Sequence, residues 1–191
     1  MKGKNAFCYS IVIPHYNSSE TLKRLLKSIP ERDDIQIVVI DDFSTSDEKN
    51  VLKTIQHKNL EIFYNPSKTN AGATRNQGLK IATGKWILFA DADDFYNAKT
   101  FDILDQFKDD ELDYLCFCAN SFDNEKNMYG GRKITSDYSV RCFLKRKSEL
   151  SINMLKYKNF ACWNKMYNKL YLEKNNIVFE SSIVNNDVWF S

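Results

Sequence analysis

Three features that would place this chain in other protein classes are missing from its sequence. No apolar run reaches the ~18–20 residues that cross a bilayer, so we expect no membrane-spanning helix. No C-x-x-C pair occurs and the five cysteines are an odd number, which favours reduced thiols in a cytosolic protein over a disulfide framework. No G-x-G-x-x-G follows the first predicted strand, and this excludes a dinucleotide-dependent oxidoreductase.

The chain does contain enough apolar sequence for one core. Its 191 residues are 43% hydrophobic and 27% charged, as in a soluble globular domain. Residues 1–131 carry 16 Lys and Arg against 20 Asp and Glu, whereas residues 132–174 carry 11 against 3. The basic stretch is either a solvated surface or a contact for an anionic partner, such as a phosphate-bearing substrate or an acidic membrane surface. Nucleic acid is not expected, because no motif for it is present.

The first 120 residues alternate predicted strands and helices. The strands are the apolar segments "CYSIVIP", "IQIVVID", "LEIFYN", "KWILFAD" and "LDYLCFCAN", and three helices between them start near Asn17, Ser44 and Asn70. This pattern predicts an α/β fold with a Rossmann-like, mostly parallel central sheet flanked by helices. Beyond it, "NEKNMYGGRK" predicts a hairpin that turns at Gly130 and Gly131. We therefore expect an α/β region over residues 1–120 and a smaller subregion of the same domain over residues 121–191.

Polar residues gather where three of these strands end. They are the segments 14–17, 41–42 and 91–94, and the last of these holds Asp91, Asp93 and Asp94. Because parallel strands end at one edge of a sheet, we expect these segments to share a ligand-binding rim. Three carboxylates in four positions repel each other, and a cation that prefers oxygen ligands, Mg²⁺ or Mn²⁺, would remove the conflict. The alternative is that one Asp caps a helix beginning near Asn97.

Five segments occur in an order and spacing that resemble the family 2 glycosyltransferases of bacteria, which have the GT-A fold. They are "SIVIPHYN", "VVIDDFSTSDE", "NAGATRNQG", "WILFADADDF" and the ending "CWNKMYNKLYLEKNNIVFESSIVNNDVWF". The resemblance implies inverting transfer of a hexosyl or N-acetylhexosaminyl group from a nucleoside-diphosphate donor, preferably a UDP-sugar, to a hydroxyl acceptor. It also implies Mg²⁺ or Mn²⁺ as cofactor, a glycan or lipid-linked glycan as acceptor, and surface polysaccharide synthesis in the cytoplasm, at the inner face of the plasma membrane.

The resemblance assigns nucleotide binding to nine residues: Pro14, Tyr16, Asn17, Asp41, Asp42, Asn70, Arg75, Asp91 and Ala92. Tyr16 would stack on the base, and Asp41 would accept a hydrogen bond from it. Arg75 would fork onto phosphate oxygens near a helix N-terminus. Each has a structural alternative: core packing for Tyr16, turn or cap formation for Asp41, and an ordinary ion pair for Arg75.

Metal binding falls to Asp91 and Asp93, which match the D-x-D pair of the family. In an extended segment these two side chains would point the same way, toward one cation that neutralises the departing diphosphate. Asp94 would bind the donor sugar or cap the next helix.

The acceptor side is assigned from the last third of the chain. Trp163, Asn164 and Lys165 match the W-N-K run of the family and would shape the acceptor pocket. Asp187 would be the base that deprotonates the acceptor hydroxyl, although Asn186 stands where the family usually has Glu. Relatives usually continue with further helices, so we expect the chain to be either truncated at its C-terminus or a short natural version.

Two other functions stay open on the sequence. One is a donor-binding fold of this family without turnover. The other is a phosphatase or phosphotransferase of the haloacid-dehalogenase type, which also uses D-x-D after a strand. In that class the motif follows the first strand and precedes Thr or Val, whereas here it follows the fourth strand and precedes Asp94.

Overall fold

The computed structural model describes residues 7–123, 126–129, 135–180, 182, 187 and 190. In chain order the elements are β1 (Tyr9–His15), α1 (Ser19–Ser28), β2 (Ile35–Asp41), α2 (Ser46–Leu52), β3 (Leu60–Tyr64), α3 (Ala71–Ile81), β4 (Trp86–Phe89), α4 (Thr100–Leu104), β5 (Tyr114–Cys116), β6 (Phe122–Asp123), β7 (Met128–Tyr129), α5 (Thr135–Arg146), α6 (Glu149–Lys158), β8 (Lys165–Asn168) and α7 (Lys169–Lys174). Within these described residues, no helix has the length and apolar character needed to cross a membrane.

The main sheet has six strands in the order β3-β2-β1-β4-β8-β5. The first four run parallel, and β1 pairs with both β2 and β4 in a register that sets His15 opposite Asp41. β8 runs antiparallel to β4, and β5 antiparallel to β8. The predicted α/β fold with a mostly parallel central sheet is confirmed, and the ends of β1, β2 and β4 share one edge.

Two apolar layers cover the faces of this sheet, because successive side chains of a strand point to opposite sides. Tyr9, Ile11 and Ile13 of β1 join the layer that contains α1, α2 and α4. Val12 joins the other layer, with Phe89 of β4 and Phe179 from the C-terminal segment. The strands are therefore buried on both faces, which explains their near-continuous apolar sequences.

The helices begin within two residues of the predicted caps. α3 follows Asn70, whose side-chain oxygen accepts a hydrogen bond from the Ala73 N–H at 2.9 Å. α1 follows Ser18 rather than Asn17, because Asn17 has a left-handed φ of 45° and still belongs to the preceding turn.

One feature of the second half was not expected from the sequence. β8 lies inside the main sheet although it comes from the predicted subregion 121–191, and four residues are too few to show a strand period in the sequence. The β6–β7 pair joins Phe122 to Tyr129 and Asp123 to Met128. The predicted turn at Gly130 and Gly131 lies outside the described residues.

Candidate active site

The sheet edge where β1, β2 and β4 end brings most of the predicted donor residues together. Pro14 is the second-last residue of β1 and is half-buried, and Tyr16 is the first residue after the strand. Asp41 ends β2, and residues 91–94 follow β4 by one residue. Asn70 and Arg75 reach this edge from the first half of α3, which packs against β1 and β2.

Asp41 differs from its predicted role as a direct hydrogen-bond acceptor for the base. Its carboxylate is fully buried; Oδ1 accepts from His15 Nδ1 at 2.9 Å, and Oδ2 accepts from the Ser44 N–H at 3.1 Å. The other ring nitrogen of His15, Nε2, accepts from the Ser18 N–H at 3.3 Å, which assigns the proton to Nδ1. Asp41 thus ties the ends of β1 and β2 together beneath the rim and does not face a ligand.

Asp42 lies beside it and organises the loop that leads to α3. Its Oδ1 accepts hydrogen bonds from Thr69 Oγ1 at 2.6 Å, from the Thr69 N–H at 2.8 Å and from Asn65 Nδ2 at 3.1 Å. Burial alone would raise the pKa of Asp42, but these hydrogen bonds and the charge of Lys68 lower it below the ordinary value. Asp42 is therefore ionised at neutral pH. Lys68, whose charge acts on Asp42, has its ammonium over the ring of Tyr16.

Tyr16 and Asn17 have different environments although they are neighbours. The ring of Tyr16 is 47% exposed, so part of its aromatic surface is open at the rim beside the Lys68 ammonium. Asn17 is used inside the protein: its N–H donates to Ser44 Oγ at 2.9 Å, and its Oδ1 accepts from the Thr45 N–H at 3.0 Å. Asn17 joins the loops after β1 and β2, and Asn70 likewise serves as the cap of α3, so neither side-chain oxygen is directed to a nucleotide.

Arg75 forms an ion pair with Asp91, with 2.5 Å between Nη2 and Oδ1. Its side chain is buried against the ring of Phe179, and the guanidinium carbon lies 5.4 Å from the ring centre. Burial would lower the pKa of Arg75, but neighbouring Cys162, Asp91 and Asp187 raise it, so the guanidinium stays charged. The structural alternative therefore holds for Arg75 in this structure: it contacts a carboxylate of the D-x-D segment.

The D-x-D segment is a turn and not the extended strand that we expected. The Asp94 N–H donates to the Asp91 carbonyl at 2.9 Å, and Asp94 Oδ2 accepts from the Asp91 N–H at 3.2 Å. Ala92 is buried, whereas Asp93 is exposed, and its carbonyl accepts from Arg24. Burial and the charge of Asp91 raise the pKa of Asp94 to about 6.

The turn separates the tasks of the three aspartates. Asp91 is paired with Arg75, Asp94 closes the turn, and Asp93 presents its carboxylate to solvent at the rim. No group of three or more His, Cys, Asp or Glu side chains within the described part of the chain is arranged to hold a metal ion. A nucleotide-bound Mg²⁺ or Mn²⁺ needs fewer protein ligands, because phosphates and water supply the rest, and the oxygen donors of Asp93 and Asp91 fit it.

Asp187 lies close enough to Arg75 and to two other buried groups for its charge to act on them. It raises the pKa of Arg75, Cys162 and Lys165 by its negative charge. Burial is the larger effect on the last two: it raises the pKa of the Cys162 thiol to about 12 and lowers the pKa of Lys165. Asp187 is itself only half-buried. The structure thus brings Asp187 and Asp91 to one arginine.

Two side chains of the W-N-K run, Asn164 and Lys165, are buried and contact residues 159–161. Lys165 is buried, and its ammonium donates to the carbonyls of Asn159 at 2.6 Å and Ala161 at 2.9 Å. Asn164 is also buried and donates to Asn159 Oδ1 at 3.1 Å, while Trp163 packs at the edge of the second apolar layer. Asn164 and Lys165, which we expect to shape the acceptor pocket, are both enclosed by protein and hold residues 159–161 in place.

Sequence reasoning missed one residue that connects these parts. Asn76 follows Arg75 in α3, and its side chain makes two hydrogen bonds to the backbone of Phe179: Nδ2 donates to the carbonyl at 2.9 Å, and Oδ1 accepts from the N–H at 2.8 Å. Phe179 stacks on Phe190 with 3.8 Å between ring centres. The signal was present, since Asn76 lies inside the segment "NAGATRNQG", but its partner is 103 residues away.

The exposed ring of Tyr16 and the D-x-D turn thus lie at one sheet edge, and Asp187 lies near Arg75, which pairs with that turn. A model of the family described as glycosyl transferase family 2 matches residues 10–175. The chain belongs to this family. This agrees with the resemblance drawn from its five sequence segments.

Curated relatives carry related names. TarS of Staphylococcus aureus, a poly(ribitol-phosphate) beta-N-acetylglucosaminyltransferase, is 33% identical over 99 residues, which are 48% of this chain and 17% of TarS. WfaP of Escherichia coli, a UDP-Glc:alpha-D-GlcNAc-diphosphoundecaprenol beta-1,3-glucosyltransferase, is 29% identical over 156 residues, 80% of this chain and 57% of WfaP. The chain thus spans less than two thirds of either relative.

Solved structures confirm the GT-A fold. Residues 1–349 of S. aureus TarS in complex with UDP-GlcNAc superpose with a TM-score of 0.69 at 22% identity, covering 95% of this chain and 53% of that one. The mannosyltransferase PcManGT of Pyrobaculum calidifontis, in complex with GDP-Man and Mn²⁺, superposes with a TM-score of 0.64 at 16% identity, covering 95% of this chain and 50% of that one.

Proposed function

We propose that this chain carries the donor site and the base of an inverting glycosyltransferase. It would move a hexosyl or N-acetylhexosaminyl group from a UDP-sugar to a hydroxyl of a glycan or lipid-linked glycan in surface polysaccharide synthesis, in the cytoplasm. The observation that carries the proposal is the D-x-D turn after β4 in a chain of this family. The turn lies at the sheet edge where Tyr16 follows β1 and Asp42 follows β2. The names of TarS and WfaP support a sugar transferred to a surface polymer or lipid-linked acceptor.

The donor would bind along the sheet edge. The exposed ring of Tyr16 would stack on the base. Asp42 rather than Asp41 would meet the base, because both carboxylate oxygens of Asp41 accept hydrogen bonds within the protein, whereas the hydrogen bonds to Asp42 fall on Oδ1. We choose uracil and UDP because one stacking ring and one acceptor suffice to hold that base, and the UDP-GlcNAc complex of TarS is consistent with this.

The diphosphate would lie at the turn after β4. A bound Mg²⁺ or Mn²⁺ supplies Lewis-acid neutralisation of the charge that grows on the leaving diphosphate. Asp93 would hold it, with Asp91 as the second ligand, and the Mn²⁺ complex of PcManGT supports the choice of metal. Arg75 holds Asp91 through its ion pair and keeps a positive charge next to the diphosphate site.

The acceptor hydroxyl would approach from the side of Asp187. Asp187 would accept its proton as the oxygen attacks the anomeric carbon opposite the diphosphate, which gives inversion. The positive charge of Arg75 is near both Asp187 and Asp91, so it offsets the repulsion between these two negative charges. Asn164 and Lys165 act as positioning residues by holding residues 159–161 behind this side.

Calorimetry with UDP, GDP and dTDP, with and without Mn²⁺, tests the donor site. We expect UDP to bind best and Mn²⁺ to strengthen binding. Asp93→Ala should remove the effect of Mn²⁺, whereas Asp102→Ala, an exposed aspartate on α4, should leave it unchanged. If Asp93→Ala keeps the metal effect, the metal assignment is wrong.

Asp187→Asn tests the base. Because an amide cannot accept the proton, transfer and donor hydrolysis should fall by about 10²–10⁴-fold, while UDP affinity stays the same. Loss of UDP affinity in this variant would contradict the base role. Absence of any hydrolysis or transfer by the unaltered chain across a panel of nucleotide sugars would favour the donor-binding fold without turnover.

A further inference from the structure

The helical hairpin formed by α5 and α6 ends in an unusual surface. Its tip, residues 144–150, is exposed throughout and connects the two helices through Lys147, which has a left-handed φ of 45°. Leu144 and Leu150 stand on either side of this connection with 64% and 72% of their surface exposed. Exposure of large apolar side chains to water is unfavourable, and their transfer into an apolar environment lowers the free energy.

Positive charge surrounds the two leucines. Lys145, Arg146 and Lys147 follow each other between them, and Glu149 is the one acidic residue of the tip. Among the described residues, no carboxylate forms an ion pair with these three cations; the one ion pair of α5 is Arg141 with Asp137, a turn earlier. The tip therefore combines exposed apolar groups with an excess of unpaired positive charge.

The other end of the hairpin lies beside the candidate active site. α6 ends at Lys158, and Asn159 is held by Lys165 and Asn164. Lys165 begins β8 at the sheet edge where β4 ends, since Met166 pairs with Leu88. Ten helical residues extend about 15 Å, so the tip lies roughly that far from the root of the hairpin.

We propose that the tip of the α5–α6 hairpin docks on an anionic lipid bilayer. Lys145, Arg146 and Lys147 would meet the lipid phosphates, while Leu144 and Leu150 enter the boundary between headgroups and acyl chains. This deepens the proposed function, on which its biological sense rests: a docked tip holds the acceptor side next to the headgroups, where a lipid-linked acceptor carries its sugar.

A soluble polyanion is the other partner that three cations could meet. The leucines decide between the two, because a phosphate polymer in water offers them no apolar surface, whereas a bilayer does. Binding that depends on both charge and leucine side chains is therefore specific to a membrane.

Vesicle cosedimentation with the whole chain tests the proposal. We expect binding to phosphatidylcholine vesicles that contain about 30% phosphatidylglycerol, little binding to pure phosphatidylcholine, and weaker binding at high salt. Lys145→Glu/Arg146→Glu/Lys147→Glu and, separately, Leu144→Ser/Leu150→Ser should each reduce the partition coefficient by about tenfold or more.

The matched control reverses three exposed lysines elsewhere, Lys27→Glu/Lys53→Glu/Lys80→Glu, so that net charge changes equally. This control should bind anionic vesicles much better than the tip charge variant. Equal loss in both variants would overturn the tip as the docking site. Polyphosphate binding as strong as vesicle binding, and unaffected by Leu144→Ser/Leu150→Ser, would overturn the membrane in favour of a polyanion.

Calorimetry with UDP separates this proposal from the proposed function. The tip variants change exposed side chains only, so UDP affinity should be unchanged while vesicle binding is lost. Failure of vesicle binding in a chain that binds UDP overturns the docking alone. Failure of UDP binding in a chain that binds vesicles overturns the donor site alone.

Discussion

At the scale of single residues, three aspartates with nearly the same sequence context have three environments. Asp91 pairs with a buried arginine, Asp94 bonds back to the chain, and Asp93 is exposed. The reason is the turn over residues 91–94, in which the Asp94 N–H donates to the Asp91 carbonyl. A change at Asp91 should therefore affect the stability of the protein, whereas a change at Asp93 should affect ligand binding alone.

Asp91→Asn should destabilise the protein, and Asp93→Asn should not. The first change removes the carboxylate that forms the ion pair with the buried charge of Arg75, and we expect a loss of about 1–2 kcal/mol in the free energy of unfolding, less than for an enclosed pair because Asp91 is 38% exposed. Asp93→Asn should stay within about 0.5 kcal/mol. Urea unfolding in metal-free buffer measures both, and equal effects would contradict the ion-pair assignment.

Thr69→Val should lower the free energy of unfolding more at neutral pH than at acidic pH. Thr69 Oγ1 donates to Asp42, whose pKa is lowered in the folded state, so this hydrogen bond stabilises above the ordinary carboxyl pKa and is lost as pH falls through the lower folded value. We expect a cost of about 1 kcal/mol at pH 7 that shrinks by about pH 3.

Thr54→Val is the matched control for this pH dependence. Its hydroxyl donates to the Val51 carbonyl, which does not titrate, so the cost of the change should be the same at both pH values in urea unfolding. A cost of Thr69→Val that is equally independent of pH would show that Asp42 is not the partner that matters.

At the scale of elements, α3 contacts both the D-x-D turn and the C-terminal segment. Arg75 reaches Asp91 on the turn after β4, and Asn76 holds the backbone of Phe179 in the C-terminal segment. Phe179 in turn stacks on Phe190. Two adjacent residues of one helix therefore hold two segments that are far apart in the chain.

Asn76→Ala should destabilise the C-terminal segment around Phe179 and leave the proposed donor site unchanged. Two hydrogen bonds to Phe179 are lost, and we expect unfolding to become easier by about 1–2 kcal/mol and transfer to slow at unchanged UDP affinity. Hydrogen exchange at the Phe179 amide, with activity and calorimetry, measures this. Gln77→Ala, the next residue of α3, is the control, and equal effects of both changes would contradict the clamp.

At the scale of the whole molecule, the donor rim and the basic hairpin occupy different parts of one fold. The rim is built by β1, β2, β4 and α3, and the hairpin by α5 and α6, which pack against each other. Residues 159–164 join the two regions through Lys165 and Asn164. This arrangement allows nucleotide binding and membrane docking to be measured independently.

The sequence by itself determined the α/β fold, the family and the sheet edge that carries the polar residues. Those features follow from the spacing of apolar residues, the alternation of strands and helices along the chain, and short motifs, all of which can be read locally in the sequence. It did not determine which of the polar residues face a ligand. Asp41, Asn17, Asn164 and Lys165 were placed in the site by motif, and the structure encloses or engages all of them within the protein.

Tertiary structure decided these cases because each depends on partners far away in the chain. Asp41 is enclosed by His15, 26 residues earlier, and Asn76 meets Phe179, 103 residues later. A hydrogen bond between distant residues leaves no period and no spacing in the sequence. β8 entered the main sheet for the same reason: its four residues are fixed by pairing with β4 and β5, and not by a pattern of their own.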